Sequence, residues 1–290
     1  MSKHNKNIPT NSMADDFSQG ISIDKIYINS FNENKDEHFH EATQSHRDEG
    51  HTFHIVEEGT VLIEIDFKKY TITAPTIVYM HPNQVHRILN FTNTTVCSLS
   101  IKNENLNPEY IKLLEEIAPT EPLPLTTEIH IDLSTTFSLC LHFSKQKSNR
   151  MHHLILKDSC NTLVALIISL FLSQAKCSNK QSRDEFITKS FKNNLEENYA
   201  SVKRPADYAT RLNISTHYLN QSVKKTTGLP VSQHIQDRII LEAKRLLHHT
   251  DKSVKEIAVL LGYEDYSYFS RLFSKATGMS ALSFRSKRHG

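Results

Sequence analysis

Residues 219–228 read LNQSVKKTTG, and residues 269–278 read FSRLFSKATG. The two stretches lie 50 residues apart and share an apolar pair at their first and fifth positions and a closing glycine. An internal repeat of this kind is one structural unit made twice. Upstream of each stands a short segment with a small residue on its apolar side, Ala209 in ADYATRLN and Ala258 in EIAVLLG. The pattern predicts helix, tight turn, helix in both units. In the first, the helices cover 206–212 and 216–226, Asn213 makes the turn and Ser215 is the N-cap. In the second, Gly262 makes the turn, Asp265 is the N-cap and the following helix covers 266–276. Asn and Gly tolerate the left-handed backbone that such a turn needs. Ser and Asp accept hydrogen bonds from the free N–H groups of a first helical turn. Gly228 and Gly278 end the two second helices.

Those second helices have split faces. Leu219 with Val223, and Phe269 with Phe273, are four apart and point inward. This leaves Thr216, His217, Asn220, Gln221, Lys224 and Lys225 outward on the first, and Ser267, Ser270, Arg271, Ser274 and Lys275 outward on the second. Hydroxyls, amides, Arg and Lys are the groups that hydrogen-bond base edges and phosphates. A joining helix over 231–248, with Ile235, Ile239, Ala243 and Leu246/Leu247 as its packing stripe, would fix the separation of the two outward faces. They could then enter successive major grooves of double-stranded DNA, about 34 Å apart.

Composition agrees. A chain of 290 residues with 38% hydrophobic and 23% charged residues is long enough for two domains. The net charge of +2 hides an asymmetry. Residues 181–290 carry 18 Lys and Arg against 11 Asp and Glu, a net +7, and residues 1–180 carry 16 against 21, a net −5. A basic C-terminal third on an acidic remainder fits one domain that meets a polyanion. A plain helical bundle explains the apolar pairs equally well; the repeat, the turn residues and the charge together favour DNA.

The N-terminal part reads differently. Residues 1–20 are polar, expected to form a disordered tail, and hold no secretory signal. From Ile21 to about Lys102 the pattern is that of strands: Ile21, Ile23, then Ile26, Ile28, and later Val61, Ile63, Ile65 alternate. Turn signals separate the runs at 57–60, 66–69 and 82–83. Short strands at this spacing predict a small antiparallel barrel or sandwich. A helix then starts near Pro108 and is broken by Pro119, Pro122 and Pro124; residues 130–143 stay open, and a long helix follows over about 151–175. Its apolar run, 163–172, is ten residues, below the roughly 20 that span a bilayer. Residues 176–183 read as a linker. The cysteines, Cys97, Cys140, Cys160 and Cys177, form no C-x-x-C pair and fit a reduced, cytoplasmic setting.

Residues 257–285, IAVLLGYEDYSYFSRLFSKATGMSALSFR, closely resemble the signature of AraC/XylS-type transcription regulators, and HIQDRIILEAKRLL, 234–247, resembles their linker helix. The likeness covers about 184–288, with one departure: Ala281 stands where the family usually has Pro, which implies a slightly looser last helix. The resemblance implies an all-α DNA-binding domain of two helix-turn-helix units joined by a linker helix. The implied contacts are Ser215, Thr216, His217, Asn220, Gln221, Lys224 and Lys225, with Tyr266, Ser267, Ser270, Arg271, Ser274 and Lys275. Glu264 and Asp265 put negative charge at the head of the second reader, which would make it the weaker one. The run His46-Arg47-Asp48, residues 51–59 and Pro82-Asn83-Gln84-Val85-His86 resemble the family's cupin-like effector-binding barrel more weakly. The expected fold is therefore α+β: a cupin-like antiparallel β-barrel with trailing helices over 21–175, a linker, and the DNA-binding domain over 184–290. A homodimer through the apolar helix, and RNA polymerase as partner of an activator, follow from the likeness; packing of that helix onto its own barrel is the equal alternative.

Of 17 histidines, twelve precede residue 181. His46, His51, His54 and His86 are the candidate effector-pocket residues, with His81 nearby. Cupin enzymes hold metal with H-x-H, a Glu and a later His. Here His46-Arg47-Asp48 lacks the second His, and His51-x-x-His54 before Glu57 and Glu58 has the wrong spacing, so no metal and no cofactor are expected. No nucleophile elbow, P-loop or dinucleotide fingerprint is present, so no enzyme is expected. The leading reading is a sequence-specific transcription regulator sensing a small molecule. A metal-dependent cupin enzyme fused to a DNA-binding domain, and a ligand-independent DNA binder, are the alternatives.

Overall fold

The structure, a computed structural model, describes residues 7–11, 20–30, 43–117, 121–148, 150–175 and 183–286. The chain divides into two compact units, one over Pro9–Cys177 and one over Ser178–Gly290 with Met1–Ile8. Most of the expected tail and all of the expected linker but Arg183 lie outside the described residues.

The N-terminal unit is built on eight described strands: β1 (Thr10–Asn11), β2 (Ile21–Ser30), β3 (Arg47–Asp48), β4 (His51–Ile65), β5 (Lys68–Thr73), β6 (Thr76–Met80), β7 (His86–Ile101) and β8 (Leu123–Pro124). Strand β1, within the segment expected to be a disordered tail, pairs in parallel with β3. The other strands form one antiparallel sheet in the order β2-β7-β4-β6-β8, with β5 also on β4.

This sheet is open, which corrects the barrel expected from the sequence: its path ends at β2 and β8, and these do not pair. The cause lies in β4 and β7, of 15 and 16 residues. The first part of β4 pairs with β6 and the last part with β5, while β7 follows it throughout. Register shifts at Val56/Glu58, Glu58/Thr60 and Leu62/Ile63 bend the pair, as bulges do. Residues 57–60 are therefore a bulge inside one strand and not a turn between two. Gly59 sits there at φ 79°, where a Cβ would lie 2.1 Å from the Asn93 carbonyl oxygen. The 66–69 signal does make a turn: Asp66 and Phe67 have φ 48° and 68°, the geometry of a tight hairpin.

Both sheet faces are buried. Phe53, Ile55, Ile77, Tyr79 and Leu99 belong to one cluster, and Val56, Val61, Ile63, Val78 and Met80 to another. The first is completed by helices α1 (Pro108–Ile117), α2 (Thr127–Ser144) and α3 (His152–Ala175). Helix α2 resolves the open segment 130–143. Helix α3 has 24 residues, so the ten-residue run understated it: by length and composition it could cross a membrane. Here Leu163, Val164, Ile167 and Ile168 are at most 2% exposed within the first cluster, so it serves as a core helix. Cys97, Cys140 and Cys160 are free, buried thiols; Cys177 lies outside the described residues.

The C-terminal unit is helical: α4 (Arg183–Asn198), α5 (Pro205–Arg211), α6 (Thr216–Thr227), α7 (Val231–His249), α8 (Val254–Leu260), α9 (Tyr266–Thr277) and α10 (Ala281–Ser286). Leu219, Val223, Phe269 and Phe273 are fully buried in its core, beside Ile235, Ile239, Ala243 and Leu247 of α7. Each buried aromatic or branched side chain contributes about 1.5–3 kcal/mol. Helix α10 forms with Ala281 at its start, and Arg285 Nε donates to the Leu247 carbonyl at 3.3 Å.

Candidate nucleic-acid interface and histidine cluster

The two helix-turn-helix units repeat each other bond for bond at the turn. In the first, the Ile214 N–H donates to the Ala209 carbonyl at 3.0 Å; in the second, Tyr263 donates to Ala258 at 2.9 Å. Asn213 and Gly262 have φ 54° and 75°, the left-handed backbone their identities allow. The Ser215 hydroxyl accepts from Tyr218 N at 3.1 Å. Asp265 Oδ1 accepts from both Ser267 N and Tyr268 N, at 2.7 and 3.1 Å. Gly228 and Gly278 end α6 and α9 in the left-handed region.

On α6, Thr216, His217, Gln221, Lys224 and Lys225 are exposed, as is Ser215 ahead of it. Asn220 is half-buried and already engaged. Its Nδ2 donates to the Thr216 carbonyl at 3.1 Å, and its Oδ1 accepts from Val231 N at 3.3 Å, at the head of α7. Lys225 reaches Asp184 of α4 at 2.6 Å, and Ser222 donates to the same carboxylate at 2.8 Å. These two bonds hold the Asp184 carboxyl below its usual range and raise Lys225. Lys224 has no such partner among the described residues. On α9, Tyr266, Ser267, Arg271 and Lys275 are exposed, and Ser270 and Ser274 are half-buried. Tyr268, 51% exposed on the same helix, is not among the residues that the sequence pattern singles out.

The sequence also hid how α7 is held. Arg238, Glu242 and Arg245 are each at most 7% exposed on this helix. Arg238 Nε donates to both carboxylate oxygens of Glu196 on α4, at 2.9 and 2.7 Å, and Nη1 to Glu242 at 3.3 Å. Arg245 Nη1 donates to Glu242 at 2.9 Å. The Arg238 guanidinium lies 3.9 Å from the Tyr199 ring centroid. Burial works against the Arg238 charge, but Glu196, Tyr199 and Glu242 outweigh it and raise its pKa.

In the N-terminal unit the four candidate histidines separate. His51 shares the helix-covered face with Phe53: its Nδ1 lies 2.8 Å from Tyr79 Oη and its Nε2 2.9 Å from Asn103 Oδ1. Burial, with nearby His81, pushes it down to about 4. His54, three residues on, falls on the opposite face, as strand alternation requires. There His46 and His86 meet, ring centroids 4.4 Å apart. His54 Nδ1 and His86 Nδ1 are buried without a hydrogen-bond partner. Burial lowers His54 and takes His86 down to about 4, against the pull of Asp48. Asp48, which the sequence analysis set aside as standing where a second His is wanted, lies between the rings: Oδ1 is 3.7 Å from His46 Nε2 and Oδ2 is 3.6 Å from His86 Nε2. The readable signal was the H-x-D spacing, which puts both side chains on one side of an extended strand.

Two capped helix pairs with polar outward faces define the C-terminal unit as a helix-turn-helix DNA-binding domain. Residues 208–287 match the family model described as a helix-turn-helix domain, and residues 35–105 match the AraC-like ligand binding domain. The chain thus carries an AraC/XylS-family helix-turn-helix DNA-binding domain, with an AraC-type ligand-binding domain ahead of it. It is similar to the uncharacterised HTH-type transcriptional regulator YfiF of Bacillus subtilis, 24% identical over 76% of this chain and 71% of that one. It is 23% identical to the transcriptional activator RhaS of Escherichia coli, over 83% and 87%. Among solved structures, the C-terminal domain of the response regulator yesN from Fusobacterium nucleatum is 29% identical, covers 33% of this chain and 93% of its own, and gives a TM-score of 0.32. The matched domains are those of regulators and not of enzymes.

Proposed function

We propose that this protein binds a specific DNA site through α6 and α9 in successive major grooves, and that the N-terminal domain changes that binding when it takes up a small molecule. The observation that carries the reading is the pair of equivalent helices, each anchored by two buried apolar residues and presenting short polar and cationic side chains outward. On α6 the readers are Thr216, His217 and Gln221, with Lys224 on phosphate and Ser215 at the helix head. On α9 they are Tyr266, Ser267, Ser270, Arg271 and Ser274, with Lys275 on phosphate. Asn220 and Lys225 are held by Val231 and Asp184, so they act chiefly by fixing α6. An effector works only through unequal affinity for two arrangements of the protein. Association of two copies through the exposed side of α3, residence in the cytoplasm and contact with RNA polymerase belong to the same reading.

The test is selection of bound genomic fragments by the full chain, followed by footprinting. Two protected major-groove segments about one helical turn apart, both lost in a Gln221→Ala/Arg271→Ala variant, are expected. A footprint unchanged by that variant refutes the assigned face.

A further inference from the structure

We propose that His46, Asp48 and His86 form a site for one divalent first-row transition-metal ion in the N-terminal domain. Each offers one ligand atom, and these atoms all lie within 4.8 Å of one another. All three residues are at most 6% exposed. Ligands about 2.0–2.2 Å from a common ion lie roughly 3–3.5 Å apart when adjacent. The observed Asp48–His46 and Asp48–His86 separations, 3.7 and 3.6 Å, close by a few tenths of an ångström on binding, and the two imidazole nitrogens, within 4.8 Å of each other, turn toward the ion by up to about 1 Å more.

The hydrogen-bond pattern points the same way. His46 Nδ1 lies 2.7 Å from the Gln44 carbonyl oxygen. A carbonyl only accepts, so Nδ1 carries the proton and Nε2 presents its lone pair toward Asp48. Fixing one ring nitrogen on a backbone carbonyl is the usual way a metal-binding imidazole is oriented. Neither contact to Asp48 is short enough to be a hydrogen bond. A buried carboxylate thus faces two imidazole edges without being bonded to either. That arrangement is costly on its own, and a cation between the three atoms offsets the cost.

The frame is rigid. His46 and His86 are locked side by side by two backbone hydrogen bonds of 3.0 Å. Asp48 sits in β3, paired with β1. Two imidazoles and one carboxylate suit zinc, iron(II), manganese or nickel, and suit neither calcium, which takes oxygen ligands, nor copper(I), which takes sulfur. Three protein ligands leave a coordination position open. The site stands on its own geometry and does not depend on the DNA-binding reading.

The experiment is titration of chelator-treated full-length protein with Zn²⁺ by calorimetry, and with Co²⁺ by visible absorption. One equivalent per chain is expected, with a Co²⁺ ligand-field band. Asp48→Asn keeps the shape and removes the charge; it and His86→Gln are each expected to weaken binding by on the order of 100-fold. X-ray absorption of the wild-type zinc form supplies a readout independent of how the variants fold, and is expected to show imidazole and oxygen scatterers without sulfur. Substoichiometric binding, a sulfur shell, or the same affinity in folded Asp48→Asn protein overturns the proposal.

Discussion

Gly262 and Gly228 adopt nearly the same backbone, φ 75° and 79°, in very different surroundings. A Cβ on Gly228 meets nothing within 4 Å, whereas one on Gly262 falls 2.0 Å from the Ala200 carbonyl oxygen and 3.4 Å from Lys203 Cε. Alanine in the left-handed region costs about 1–2 kcal/mol, and the stiffer unfolded chain returns about 0.4–1 kcal/mol. Gly228→Ala is therefore expected to lose about 1 kcal/mol. Gly262→Ala carries that strain and must also push the Ala200 carbonyl away by an ångström or more. That carbonyl accepts from Lys203 Nζ at 2.9 Å, so moving it breaks a second contact. Overpacking of this kind adds about 1–3 kcal/mol, for a total near 3 kcal/mol. Domains with stabilities of about 5–15 kcal/mol survive both changes. Urea unfolding followed by helical circular dichroism reads the difference as a shift in midpoint at constant slope. Equal midpoints for the two variants would refute the claim that close packing of the α8–α9 turn on the α4–α5 loop requires glycine there.

The α6 and α9 faces give a second expectation: Arg271→Ala and Gln221→Ala each weaken specific binding by about 1–3 kcal/mol if they read bases. Lys224→Ala weakens all sequences and flattens the salt slope by about one unit; Lys225→Ala, whose side chain is tied to Asp184, does so less, and the reverse order in a salt titration counts against the assignment. Arg238→Ala frees α7 from Glu196 and leaves the buried Glu242 to Arg245 alone; with that pair kept and Glu196 half-exposed, the loss falls below the about 3–5 kcal/mol of a broken buried pair, to about 2 kcal/mol. Thermal melts place this variant well below Lys244→Ala on the same helix, and equal melts argue against a structural role for the pair. His51 is held at about 4 in the fold against an ordinary 6.5. Its depressed value means the unfolded chain takes up the proton first, so stability is full above about 6.5 and declines toward pH 4. The loss amounts to about 3 kcal/mol, and a His51→Gln variant whose unfolding keeps the same acid dependence excludes His51 as the cause.

What could be read from the sequence divides along the chain for a physical reason. The helix-turn-helix signals are local: Ser215 and Asp265 cap, Asn213 and Gly262 turn, and apolar residues four apart face inward. Each needs only its neighbours to be understood. Sheet closure is set by partners far apart in sequence, and alternation of Val61, Ile63 and Ile65 looks the same in a barrel and in a bent open sheet. Gly59 read as a turn because nothing local distinguishes a hairpin from a bulge in a continuing strand. Arg238 and Asp48 were invisible as buried groups because charge suggests exposure until a partner on another element is seen. His51 and His54 were grouped by proximity in sequence, although a spacing of three on a strand separates them.

The two proposed readers differ at their heads, and the difference rests on their caps. Ser215 closes the head of α6 with a neutral hydroxyl, and Lys224 on the same helix has no side-chain partner among the described residues. Asp265 closes α9 with a carboxylate that takes two of the first N–H groups, and Glu264 is exposed beside it. A helix head attracts phosphate through its N–H groups and partial positive charge, and Asp265 both occupies and neutralises them. Asn caps about as well as Asp, so Asp265→Asn keeps α9 folded while removing the charge. The substitution is expected to tighten DNA binding by about 0.3–1 kcal/mol at low salt, with the gain fading as salt screens it. The matching change at the first head, Ser215→Asp, is expected to weaken binding by a similar amount. If Asp265→Asn leaves affinity unchanged at low salt while melts show an intact domain, the head of α9 does not approach a phosphate, and the second unit meets DNA by its flank alone.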